Sequence, residues 1–121
     1  MIFGFYIKIY KDNNGPINNI FIMNYDTLNN CFIDIYSLKK ENKNILNILS
    51  KISREKLIYN KNITDTKMMY DGTYPSYDNF TNFVFTKDGL LFFFKWYQVA
   101  PYSSGKFEIL ISYNDIFSEL K

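Results

Sequence analysis

The sequence predicts an α+β fold: an antiparallel sheet of five to six strands, one main helix packed on it, and a short C-terminal helix. Three observations carry this. The N-terminal residues alternate with period two, and a central stretch repeats its apolar residues at helical spacing. From Asn82 to Leu120, two strongly apolar runs flank a compact loop and are followed by a short amphipathic segment. At 121 residues the chain makes a single domain, 1–121, long enough for a core and too short for two.

Phe3, Phe5, Ile7 and Ile9 share one face of the first strand, with Tyr6, Lys8 and Tyr10 on the other. The run from Asp12 to Pro16 is a turn, because Asn and Gly tolerate positive φ and Pro fixes the exit. A second strand covers about Ile20 to Tyr25, and Leu28, Asn29 and Asn30 make a hairpin turn into a third, Cys31 to Ile33. Asp34 then caps a single helical turn, Ile35 to Leu38.

The main helix is expected over Lys43 to Asn60. Ile45, Ile48, Leu49, Ile52 and Tyr59 share one side of it, and Leu46 and Leu57 lie at the edge. Between Lys61 and Asn79 the pattern is weak. Met68, Met69, Tyr70, Tyr74 and Tyr77 are read as tucking back over the core rather than forming a sticky surface. Strand four is Phe80 to Thr86, the turn Lys87, Asp88 and Gly89, and strand five Leu90 to Lys95. Leu90 through Phe94 are apolar without alternation, which predicts a central strand covered on both faces. Strand six is Lys106 to Ser112, and Asn114 caps the last helix, Asp115 to Leu120.

Composition excludes several functions. There is no histidine, which removes the commonest general base and zinc ligand. The single cysteine, Cys31, permits neither an internal disulfide nor a Cys/His cluster, and its apolar setting reads as a buried structural thiol. Net charge is +2 with scattered lysines, so no basic face for nucleic acid is present. No segment reaches the roughly 20 apolar residues that span a membrane. Glycines stand apart from one another, and Asp12 to Pro16 fits a calcium loop poorly. Two short glycosylation sequons begin at Asn62 and Asn79. No cofactor and no enzyme activity are expected. Aromatic residues reach 20%, with 12 Phe and 11 Tyr. Part of that excess is the residue usage of an AT-rich genome, which also favours Asn, Lys and Ile.

The loop Trp96 to Gly105 is the candidate site. Pro101 stiffens it and Gly105 permits a sharp return. Trp96, Tyr97 and Tyr102 pair apolar rings with polar tips, as interfaces and sugar sites do, and Ser103 adds a hydroxyl. The competing structural reading turns Tyr97, Ala100 and Pro101 inward to fix the loop, and for Tyr97 and Pro101 it is the favoured one.

Asn82-Phe83, Asp88-Gly89-Leu90, Phe94, Tyr97, Val99-Ala100-Pro101-Tyr102, Gly105, Ile111, Tyr113 and the closing helix together resemble one family. Asn24-Tyr25-Asp26 and Ile33-Asp34-Ile35-Tyr36 match its strand–turn–helix entry. It is the C-terminal domain of bacterial extracytoplasmic proteins of the PdaC/RsiV type, which include a lysozyme-sensing anti-sigma factor and the non-catalytic part of a peptidoglycan deacetylase. The resemblance covers about 24–120 and departs where Asn14-Gly15-Pro16-Ile17 replaces a histidine-containing turn. Ser112 also stands where a proline is common.

The resemblance implies a non-catalytic, extracytoplasmic binding module that recognises a protein such as lysozyme or cell-wall glycan. The alternatives are an accessory domain positioning a neighbouring peptidoglycan-modifying enzyme or anchor, or a truncated relic. It further implies the C-terminal part of a larger two-part unit, held to a membrane only through an upstream anchor. The first strand would then be an exposed edge open to self-association.

Overall fold

The computed structural model describes residues 2–11, 17–95, 97–101 and 107–118. Strand β1 (Ile2–Lys11) pairs antiparallel with β2 (Ile17–Asp26) in an unbroken register from Ile2↔Asp26 to Lys11↔Ile17. β2 also pairs with the short β3 (Cys31–Phe32). The turn between them is tied by Asp26, whose carboxylate accepts from Leu28 N at 2.9 Å and from Asn29 Nδ2 at 2.7 Å. The Asn29 amide and these backbone donors hold the Asp26 carboxyl below the usual carboxylate range. Asn30 takes the left-handed conformation, φ 50°, that the hairpin requires.

Helix α1 (Ile35–Glu41) starts on a capping box, with Asp34 accepting from Ser37 N at 2.9 Å. It therefore runs past the single turn expected from the sequence. Helix α2 (Ile45–Leu57) buries Ile45, Leu46, Ile48, Leu49, Ile52 and Leu57. The expected stripe holds except at Tyr59, which lies beyond the helix end and is 89% exposed. A further helix, α3 (Thr66–Gly72), occupies the stretch of weak pattern. Asp65 caps it by accepting from Met68 N at 3.1 Å.

After a 3-10 turn at Tyr77–Phe80 come β4 (Phe83–Phe85), β5 (Gly89–Phe93) and β6 (Glu108–Ser112), with β5 central. β5 is buried on both faces, as its unbroken apolar run predicts. The residues Phe80 to Asn82, expected in strand four, form the turn before it, and Phe80 plugs the core. Helix α4 (Tyr113–Ser118) closes the described chain. Ser112 rather than Asn114 caps it, its hydroxyl accepting from Asp115 N at 3.1 Å. The core lies between α2 and the β4-β5-β6 sheet, where Phe80, Phe83, Phe92 and Phe94 are almost wholly buried.

The expected single sheet is in fact two three-stranded sheets, β1-β2-β3 and β4-β5-β6. Where β4 approaches β2, β2 has no free edge. On one side β1 takes its backbone, and on the other Ile33 N donates to Asn24 O at 2.8 Å. Thr86 N and Phe93 N direct the even-numbered backbone groups of β4 and its flanks toward β5. Phe83 O and Phe85 N therefore point away from β5.

Asn24 satisfies both with its side chain, donating to Phe83 O and accepting from Phe85 N, each at 2.8 Å. The carboxamide thus acts as one peptide unit of a missing strand. Gly4, opposite Asn24 in the β1–β2 register, leaves the room this needs: a Cβ there would lie 2.5 Å from Phe85 O and 2.6 Å from Val84 Cγ2. Cys31, expected to be buried, is exposed on the short edge strand β3.

Two outcomes follow. Asn24→Leu removes both partners of a buried strand edge and should cost about 2–4 kcal/mol in urea unfolding; a loss below about 1 kcal/mol would show that the two sheets do not depend on this amide. Burial pushes the Tyr113 phenol above its ordinary value of 10.0, and its hydroxyl donates to Thr86 O at 2.6 Å. Because folding raises this pKa, the stabilisation is full below the ordinary value and is lost as pH rises through the raised one. Tyr113→Phe should therefore lose stability less steeply than the parent above about pH 10, measured as urea midpoints; parallel slopes would refute it.

Candidate functional site

The loop that follows β5 is fastened at its base by Phe94 N, which donates to Phe107 O at 2.9 Å; both rings are buried. Above that base the chain turns at 95–98, with Gln98 N donating to Lys95 O at 3.1 Å. Tyr97 occupies the turn at φ 65°, a region that side-chain-bearing residues seldom adopt. The surroundings hold it there.

Those surroundings centre on Gln98, whose side-chain amide makes three hydrogen bonds. Oε1 accepts from Lys95 N at 2.9 Å, and Nε2 donates to Gly72 O and Asn79 O, both at 2.9 Å. One amide therefore joins the loop, the end of α3 and the 3-10 turn. Gly72 allows the contact, since a Cβ there would lie 1.8 Å from Gln98 O. Val99 and Ala100 then plunge into the core at 1% and 2% exposure.

The segment gripped by Gln98 has its own supports. Thr73 is fully buried and donates to Met69 O at 2.8 Å. Arg54, the one arginine of the chain, reaches from α2 to donate to Thr73 Oγ1 at 3.0 Å and Tyr70 O at 2.9 Å. Its guanidinium lies 4.6 Å from the Tyr70 ring centroid. Asn79, read from sequence as a sequon, uses its amide to hold Asp71 O and Tyr74 O at 3.2 and 3.0 Å. Tyr36 and Tyr77 stack at 4.5 Å nearby in the chain's fold.

Of the residues singled out from the sequence, Tyr97 and Pro101 are described; Trp96, Tyr102 and Ser103 lie outside the described residues. The inward reading of Tyr97 is corrected. Its side chain is 63% exposed, because positive φ turns the residue outward while Val99 and Ala100 take the inward positions. Pro101 is half-buried. The mixed region divides likewise: Met69 is wholly buried, Tyr77 half-buried, and Tyr70 and Tyr74 exposed.

Gln98 escaped the sequence reading, and only its polarity between Tyr97 and Val99 hints at a structural role. Among the described residues, no group of three or more His, Cys, Asp or Glu side chains could hold a metal ion. The site offers an aromatic surface on a stiff support.

Residues 36–114 match the family described as protein of unknown function, DUF3298. That span runs from the start of α1 to α4 and contains the loop, while β1, β2 and β3 precede it. The chain is also 35% identical over 89 residues to the peptidoglycan-N-acetylmuramic acid deacetylase PdaC of Bacillus subtilis (strain 168). This covers 73% of the chain but 19% of the deacetylase, so the chain spans about a fifth of the curated relative's length. Both agree with the resemblance read from the loop and its flanking strands, and the chain belongs to the DUF3298 family.

Proposed function

We propose that this chain is a non-catalytic accessory domain of a cell-envelope protein, working outside the cytoplasm, that docks its target through the loop carrying Tyr97. The target is a protein such as lysozyme or the glycan of the cell wall. The observation that carries the reading is Tyr97 itself. An aromatic ring is presented to solvent at 63% exposure on a turn of positive φ, and Gln98 fixes that turn to two other segments. A ring already ordered loses little freedom on binding, which favours aromatic anchors at interfaces.

The kinship supports the setting. The deacetylase named above acts on peptidoglycan, and its resemblance to this chain is confined to 19% of its length. A domain of that size beside an enzyme suits a targeting or positioning role. The second reading, a scaffold that positions a neighbouring enzyme without a ligand of its own, rests on the same alignment and needs no exposed tyrosine.

Titration of the ¹⁵N-labelled chain with hen lysozyme and, separately, with soluble peptidoglycan fragments discriminates these readings. Binding should shift the amides of residues 95–100 with one of the two. Tyr97→Ala should weaken it by about tenfold or more while leaving the unfolding midpoint nearly unchanged. Gln98→Ala should weaken it through loss of order in the loop, and should also destabilise the fold. Absence of shifts with both ligands would remove the binding role and leave the scaffold reading.

A further inference from the structure

A second site lies at the other end of β5. Leu38 and Glu41 of α1, Asn42, Ile45 of α2, Phe85, Leu90, Tyr113 and Ile116 enclose a pocket of about 170 Å³. Leu90 and Lys95 are separated by about 16 Å along an extended chain, so this pocket and the Tyr97 loop are distinct places. Its floor is formed by Ile45, Leu90 and Ile116, all buried. Its walls are Leu38, Phe85 and Tyr113, which pack on the core yet keep part of their surface toward solvent. A volume of this order suits one six-membered ring, since an apolar cavity of about 150 Å³ admits benzene.

The polar groups at the rim select the chemistry. The Asn42 carbonyl oxygen accepts from Asn44 N at 3.0 Å, which fixes the amide's orientation. Its Nδ2 is buried without an acceptor, shielded from solvent and so out of a ligand's immediate reach. The Tyr113 hydroxyl is directed to Thr86 O. Among the described residues, Glu41 is the only charged side chain lining the pocket, exposed and joined to no cation. The ammonium of Lys39, on the same turn, is turned to Lys43 O.

We infer that this pocket binds a compact apolar group bearing a primary ammonium, the apolar part against Leu38, Ile45, Phe85, Leu90 and Ile116 and the ammonium on Glu41. An alkyl- or arylammonium of about eight non-hydrogen atoms satisfies both halves.

Benzylamine, benzyl alcohol and benzoate share one ring and differ in charge, so they test the inference on the intact chain. By ¹H–¹⁵N NMR at low ionic strength, benzylamine should shift the amides of Leu38, Ile45, Leu90 and Ile116 with a dissociation constant of about 1–10 mM. Benzyl alcohol should bind about threefold more weakly, as an exposed charge contact allows, and benzoate more weakly still. Glu41→Gln, at an exposed position, should bring benzylamine to the level of benzyl alcohol. Leu38→Trp should fill the space and abolish all binding. No shifts in the pocket up to about 50 mM benzylamine would overturn the site. Benzoate binding as tightly as benzylamine would overturn the ammonium assignment.

Discussion

The side-chain amide of Asn24 is the joint on which the architecture depends. The outer edge of β4 meets the other three-stranded sheet at β2, whose own backbone is already paired on both sides. A strand edge left bare in that interior would leave Phe83 O and Phe85 N without partners, each a cost of about 1–3 kcal/mol. Asn24 supplies a donor and an acceptor at the spacing of a peptide, and Gly4 keeps its own side clear for the approach. An apolar residue at 24 would pack but not bond, and a charged one would bring a desolvation penalty. β4 could then still pair with β5, but the β1–β2 hairpin would have no specific seat on the rest of the domain.

Gln98 repeats the device just past the end of β5. There the problem is a loop that must leave β5, present a tyrosine and return at Phe107. Its amide ties Lys95 N, Gly72 O and Asn79 O together, so the loop, α3 and the 3-10 turn are ordered as one unit. Arg54 and Thr73 brace that unit from α2. Both joints bring chain segments far apart in sequence into one hydrogen-bonded cluster, and in both a glycine, Gly4 or Gly72, admits the close approach. The aromatic surface at Tyr97 is therefore an outcome of core construction as much as of the loop's own sequence.

Local rules made the elements legible. Alternation marks β1, the five-residue apolar run marks β5 as central, and the spacing Ile45, Ile48, Leu49, Ile52 marks α2. What local rules could not show is the division into two sheets, since that turns on which strand edges are already occupied. Gly4 inside an otherwise bulky strand was the available sign of a close approach. The helix α3 was hidden because it spans two turns and buries only Met69 among its large apolar residues, too little to set up a periodic signal. At the candidate site the aromatic character of the loop was readable. The direction of Tyr97 was not, because a positive φ outside glycine depends on the contacts that enforce it.

The aromatic richness that the sequence leaves ambiguous is sorted by the fold according to chemistry. Among the described residues Phe80, Phe83, Phe92, Phe93, Phe94 and Phe107 are buried, with Phe32 on the edge strand β3 the exposed exception, whereas Tyr36, Tyr59, Tyr70, Tyr74 and Tyr97 are exposed. Tyr70 and Tyr74 flank Gly72, the residue that Gln98 grips beside Tyr97, so three exposed tyrosines belong to segments joined by a single amide. This arrangement bears on how the proposed docking would work. The turn at Tyr97 is followed by Gln98, whose side chain is tied to three backbone points, and by the buried Val99 and Ala100, so this turn has little room to reorganise when a partner arrives. Recognition at Tyr97 would then proceed by fit to a prepared surface, and the domain would act as a rigid adaptor.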